Sequence, residues 1–374
     1  MLAPWLIAVV LVTQVEAQAQ SPQEPVKSAD AAQQALETRP SIVTLSGVMT
    51  LDEARASLEK QTGNKIIDFR QRNGQEVPNP QLKFDIVKAP FWKAFDAILD
   101  SAEVDLNNFS GNEGLAISER SGGDVPRSQR ATYAGPLRIE PKRILSERMF
   151  DQQKSSSTKL ELEVSWEPRL TPIAFSQPIA KLQATDDKGQ NLKVDFGDPT
   201  LDAPSKGGTA VEMVIPFESP PRTSSKIASI KGAFNIVLPG PVEEFSFENL
   251  TEALKPQFKG VEKKKAAVSV TLDHFRKNNE IWEVFMRLKF ETNDDVMESH
   301  SGKFLQNDAF IIGPDKKRID NAGFHSFMQN KNELGMAYQF ELPDNPEGCT
   351  FVYKTPSSIH SVTIPYELKD LTLP

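Results

Sequence analysis

The sequence predicts a multidomain, β-rich protein: a small α+β module followed by two β-sandwich domains. Three observations carry this reading. A strand-helix-strand pattern occurs twice within residues 41–119, period-two alternation dominates from Leu160 onward, and a chain of 374 residues exceeds what one ordinary core organises. Hydrophobic residues at 39% and charged residues at 25% exclude wholesale disorder and a multi-span membrane protein. A net charge of -8 provides no cationic field for phosphates, so nucleic acid is excluded as a partner class. Cys349 is the one cysteine, so no disulfide can close within the chain.

The first residues read as an address. MLAPWLIAVVLV, Met1 to Val12, is apolar but short of the roughly 20 residues that cross a bilayer, and Ala17-Gln18-Ala19 has the small-x-small pattern of a cleavage site. Residues 1–19 are therefore expected to be a signal peptide without the usual basic start. Membrane association would arise only from an uncleaved signal. Residues 20–40, rich in Gln, Ala, Pro and Ser, have the composition of a disordered tether.

In residues 41–119, Ile42, Val43 and Leu45 form a strand, and Thr50-Leu51-Asp52-Glu53 is a capping box that opens a helix. Leu51, Ala54 and Leu58 share one face of it, Gly63 is placed for a left-handed C-terminal cap, and Ile66, Ile67 and Phe69 start the returning strand. The grammar then repeats. Leu82, Phe84 and Ile86 alternate, Pro90 opens a helix with Phe91, Phe95, Ile98 and Leu99 on one face, and Val104 with Leu106 return. Leu45 to Ile86 and Leu58 to Leu99 are both spaced by 41 residues, which marks an internal duplication. These stretches, VTLSGVMTLDEARASLEKQTGNKI and LKFDIVKAPFWKAFDAILDSAEVDL, resemble the short N-terminal domain of secretins and TonB-dependent receptors. The resemblance implies a protein-docking module of a bacterial envelope. No barrel or pore sequence follows it, so a channel function does not carry over.

Residues 120–131 are polar and rich in breakers, which predicts a linker. Beyond it, Leu160, Leu162, Val164 and Trp166 alternate with polar residues, Asp186 to Gly189 reads as a hairpin turn, and Val211 to Ile215, Phe234 to Leu238 and Phe245 with Phe247 continue the pattern. The last third follows the same plan, with its strongest alternation from Trp282 to Phe290. Trp166 with Trp282, and Phe245 to Leu250 with Tyr366 to Leu371, are offset by 116 and 121 residues, so tandem sandwiches over 132–255 and 262–374 are expected, with a seam at Lys255 to Lys265. Both resemble immunoglobulin-like sandwiches in strand pattern, without paired cysteines.

Chemistry-bearing patterns are sparse. His274, His300, His325 and His360 lack metal-ligand spacing, and no nucleophile elbow, P-loop or dinucleotide-binding glycine pattern follows a strand. No cofactor and no catalytic residue are assigned. Asn293, Asp294, Asp295 and Glu298 concentrate oxygen donors in a short loop and form the one candidate metal site, against which stands a solvated strand end. Asp186 and Asp187 read as turn residues, Lys263 to Lys265 as a solubilising basic run, and Cys349 as a half-buried thiol. The expectation is a non-enzymatic exported protein, periplasmic or envelope-associated, that docks or scaffolds another envelope protein. A carbohydrate-binding or carbohydrate-processing protein with a glycan ligand, and a secretion-apparatus component, are the alternatives.

Overall fold

The computed structural model describes residues 36–72, 74–108, 114–120, 125–147, 156–194, 200–204, 208–291, 307–343 and 345–374. The expected signal peptide, 1–19, and most of the expected tether, 20–40, therefore lie outside the described residues. Strands make up 57% of the structure and helices are few, as the alternation requires of a β-rich multidomain chain.

The first core follows its duplicated pattern as β1 (Ile42–Thr50), α1 (Leu51–Thr62), β2 (Ile66–Asp68), β3 (Gln81–Pro90), α2 (Phe91–Ser101), β4 (Val104–Asn107) and β5 (Leu115–Glu119). The capping box forms: the Thr50 hydroxyl accepts from the Glu53 amide at 3.3 Å, and the Thr50 amide donates to the Glu53 carboxylate at 2.8 Å. Gly63 closes α1 at φ 72°, its N–H bonded to the Glu59 carbonyl. β1 pairs antiparallel with β3, placing Leu45 opposite Ile86, the residues that the duplication equates. β5 pairs parallel with β2 and antiparallel with β4. Phe91, Trp92, Phe95, Ile98 and Leu99 of α2 fill the centre, all 1% exposed or less.

A four-residue helix, α3 (Arg127–Arg130), leads into β6 (Thr132–Ala134), β7 (Leu137–Glu147), β8 (Ser157–Trp166), β9 (Ala174–Pro178), β10 (Gln183–Asp186), β11 (Asn191–Leu192), β12 (Thr200–Pro204), β13 (Ala210–Glu218) and β14 (Lys226–Pro239). There follow β15 (Val242–Phe247), β16 (Val261–Lys265), β17 (Val268–Asn278), β18 (Ile281–Phe290), β19 (Ala309–Ile312), β20 (Arg318–Asp320), β21 (Gly323–Gln329), β22 (Glu333–Phe340), β23 (Thr350–Pro356) and β24 (Ile359–Thr372). The second core lies between the sheet β13-β8-β7-β6 and the sheet β11-β10-β14-β9-β12, to which β24 is added along β14. The third lies between β15-β23-β19-β20 and β16-β17-β18-β22-β21. Trp166 and Trp282 are both buried, as their shared face with Leu and Val requires.

The division between these cores differs from the tandem copies expected over 132–255 and 262–374. β15 crosses into the third core, and β24 returns from it to the second. The two crossings lie side by side and form one antiparallel ribbon, in register from Lys226 opposite Thr372 to Pro239 opposite Ile359, and from Val242 opposite Pro356 to Phe247 opposite Phe351. At the crossing the Gly240 amide donates to the Ser358 carbonyl at 2.9 Å and the Ser357 amide to the Pro241 carbonyl at 2.7 Å. Phe245 and Tyr366, equated by the expected repeat, therefore enter different cores. The seam at 255–265 is likewise corrected: Leu250 and Ala253 are buried in the third core, and Val261–Lys265 is strand β16 of its sheet. Alternation fixes which face of a strand is buried but not the strand it joins.

The linker expected over 120–131 is also tied down where it is described. Arg127 donates to Asp96 of α2 at 3.2 Å and pairs with Asp105 of β4, while the Arg127 and Ser128 amides donate to Asp100 at 2.8 and 3.0 Å. From β7, Arg138 donates to Asp96 at 2.6 Å and to Glu140 at 2.5 Å, and the Tyr133 hydroxyl donates to Asp96 at 2.9 Å. Arg138 and Asp96 are fully buried, which requires this completeness of partners. Burial opposes the charge on Arg138, but Asp96 and Glu140 outweigh it and raise its pKa. Burial would raise Asp105 and Glu140, yet the charges of Arg127 and Arg138 respectively prevail and hold both below the usual carboxylate range.

A second cluster centres on buried Glu167, which accepts from the Ser41 amide and hydroxyl at 2.9 and 2.5 Å, Asn64 at 3.2 Å and Arg169 at 2.7 Å. The end of the expected tether is drawn in with it. Arg169 donates to the carbonyls of Leu36 and Arg39 at 3.1 and 2.5 Å, and Glu37 lies 2.6 Å from His360 at the start of β24. Residues 36–40 are thus packed against the second core.

Candidate docking surface

The five-stranded sheet of the third core ends in two edge strands of opposite character. Among the described residues β16 pairs only with β17, and its sequence, Val-Glu-Lys-Lys-Lys, is exposed throughout. Lys264 reaches Glu291 at 2.5 Å, Lys265 reaches Glu243 at 3.3 Å, and Lys263 donates to the Ser246 carbonyl at 2.6 Å. Lysines on an edge give any incoming strand charges to desolvate. The basic run thus has a structural position that composition alone does not show.

β21, at the other edge, reads Gly-Phe-His-Ser-Phe-Met-Gln and carries no Lys, Arg, Asp or Glu. Phe324 and Phe327 are 42% and 44% exposed. Phe324 lies opposite Tyr338 on the side of the third core, their rings 5.7 Å apart. Phe327 belongs to the outer side: the register shifts between Ser326 and Met328, and the Phe327 ring crosses so closely over Gly335 that a Cβ there would lie 2.7 Å from it.

The outer side continues as an aromatic layer. Phe285 on β18 stacks on His274 at 4.0 Å between ring centres, contacts Phe327 at 5.5 Å, and receives the Arg276 guanidinium 4.6 Å above its ring. Burial, and then the charge of Arg276, lower the pKa of His274, which favours a neutral ring stacked on its neighbour. Arg276 is itself engaged by Glu283 at 2.7 Å, and Arg287 by Asp273 and Glu333, both at 2.9 Å.

The residues singled out in the sequence fall elsewhere. Asn293, Asp294, Asp295 and Glu298 lie outside the described residues, as does His300. Asp186 accepts from the Lys188 and Gln190 amides at 2.9 and 2.7 Å and from Ser224 at 2.6 Å, so its oxygens organise the turn. Cys349 is buried, and burial followed by the charge of Asp315 raises its thiol pKa, opposite to the shift that activates a cysteine. Trp92, Trp166 and Trp282 are buried and offer no open stacking face for a sugar. Among the described residues, no three His, Cys, Asp or Glu side chains are grouped as metal ligands, and no helix is long and apolar enough to cross a membrane. A cleft of about 650 Å³ opens beside residues 36–41, walled by Arg169, Leu170, Leu238 and Pro239 to Pro241.

The β21 surface escapes the sequence reading because its residues show no regular alternation. The available signal is seven consecutive uncharged residues containing two Phe, a composition suited to an interior that the fold leaves at an edge.

Comparison with known proteins adds no identity. No protein-family description matches the chain, and no curated protein matches it. A solved structure of the conserved domain protein from Bacillus anthracis aligns over 64% of this chain and 89% of that chain at 6% identity, with a TM-score of 0.20, too low to carry a fold assignment.

Proposed function

We propose that the protein is a non-enzymatic exported scaffold of the bacterial envelope. In this reading residues 41–119 are a docking module of the secretin/TonB short N-terminal kind, backed by two immunoglobulin-like sandwiches. The observation that carries it is the pair of closed joints: a buried charge network fixes the first core to the second, and a continuous β-ribbon fixes the second to the third. Such a chain presents separated surfaces at a fixed spacing, which suits a support better than a hinge. Val48 on β1 and Val87 on β3 are 62% and 68% exposed and mark the face of the module on which a partner would sit.

The test is photo-crosslinking in the native envelope from a reactive residue placed at Val48 or at Val87. A single envelope protein captured from both positions is the expected result. Absence of any adduct from both, in a chain shown to be folded and exported, would remove the scaffold reading.

A further inference from the structure

We propose that β21 is a strand-addition site, which takes an uncharged extended segment of a partner protein as a sixth strand beside β22-β21. The proposal rests on the protein-binding reading above and assigns it a second surface. An edge strand presents N–H and C=O groups on its open side, and other long edges of this molecule are guarded. β16 carries lysines; β24 carries Pro365, Glu367, Lys369 and Asp370 along its length; and β1, also uncharged, has the Gln61 amide bonded to both its Thr44 N–H and C=O, at 2.9 and 3.1 Å. Among the described residues, no such guard stands along Gly323 to Ser326 of β21.

Charge defines the occupant. A strand laid along β21 would cover Phe324 on the core side and Phe327 on the outer side. A charged residue in that strand would lose water beside these rings and find no uncommitted counter-ion on β21 or in the described aromatic layer, because β21 carries no charge and Arg276, Glu283 and Arg287 already pair with one another or with Asp273 and Glu333. The matching segment is therefore neutral, with apolar residues on both of its faces. The unshifted run before the bulge, Gly323 to Ser326, sets the anchoring length, and Phe327 turns the edge away beyond it.

The probe is the peptide acetyl-Thr-Val-Thr-Val-Thr-Val-Thr-amide, with the same peptide carrying Lys for Val as its counterpart, added to the full chain while backbone hydrogen exchange is followed. At about ten times its Kd the neutral peptide is expected to slow exchange across Gly323–Gln329 about tenfold by mass action, and the lysine peptide to leave it unchanged. Phe324→Lys combined with Ser326→Lys, which copies the guard of β16 at two exposed positions, is expected to abolish the protection without lowering Tm; Ser326→Lys alone serves if the pair unfolds. Equal protection by both peptides, protection that survives the lysines, or protection confined to other strands would overturn the proposal. So would sedimentation showing that β21 is already closed on a second copy in a dimer that the lysines dissolve. The crosslinks from Val48 and Val87 report on the first core, so failure there and failure at β21 are separate results.

Discussion

The first and second cores are joined through side chains that ionise, whereas the second and third are joined through backbone that does not. At the first joint Asp96, Arg127, Arg138, Asp105 and Glu140 come from four elements and leave water together. Each ion is stable there only because the others are present, so the joint depends on every member. At the second joint the ribbon distributes the attachment over two strands of fourteen residues and then two of six and seven, and its hydrogen bonds take no account of most side chains. One joint is thus open to single substitutions and to acid, the other to loss of a whole strand.

Removal of a strand is the severest way to break this contrast. A chain ending at Ser358 lacks β24 and with it Val362, Ile364, Tyr366 and Leu368, all buried in the second core. That core is expected not to fold, seen as loss of its cooperative melting transition; a native-like melt would show that the ribbon is dispensable.

Next in size is Asp96→Ala, which strands Arg127, Arg138 and Tyr133 at once. Breaking a buried ionic cluster in this way costs about 3–5 kcal/mol. Chemical denaturation would measure it, and a loss below about 1 kcal/mol would mean that the cluster contributes little to the joint.

Acid sharpens the comparison without mutation. Asp105, Glu140 and Asp100 all titrate below their ordinary values of 3.8, 4.5 and 3.8. A lowered folded-state pKa stabilises the protein above the unfolded value, and that contribution disappears as pH falls through the folded value. Proteolytic cleavage within 120–131 is therefore expected to rise as pH falls below about 4, before cleavage at Pro239 to Val242 does. Simultaneous opening of both joints would contradict their different chemistry.

The smallest effect is expected from Tyr366→Phe in the ribbon. The Tyr366 hydroxyl donates to buried Gln177 at 2.8 Å, while the ring stacks on Phe234 at 4.4 Å and stays in place after the change. The cost is about 1 kcal/mol from the lost bond. A loss several times larger would show that ribbon stability also hangs on single polar contacts.

Much of the local structure was legible. The capping box at Thr50 and Glu53, the C-terminal cap at Gly63, the apolar faces of α1 and α2, and the burial of Trp166, Val284 and Met286 all follow from spacing. The joints were not. Arg127 and Arg130 read as solvated linker charges, because nothing in RSQR announces that Asp96 and Asp105 will lie beside it. The exposed Phe324 and Phe327 were equally hidden, since a strand's edge position is a property of its sheet and not of its residues.

The sequence by itself therefore determined where α1 and α2 begin and where α1 ends, which face of each long alternating strand is apolar, and which stretches carry charge. These are matters of local sterics and of transfer from water, set within a few residues. Only the tertiary structure decided that β15 and β24 exchange cores, that Asp96 meets arginines 31 and 42 residues away, and that the lysines of β16 lie at one end of a sheet whose other end is the uncharged β21. Those outcomes depend on which strands pair, and backbone hydrogen bonds are alike for every partner. The choice falls to the packing of whole sheets, where each buried charge is stable only with its distant counterpart in place.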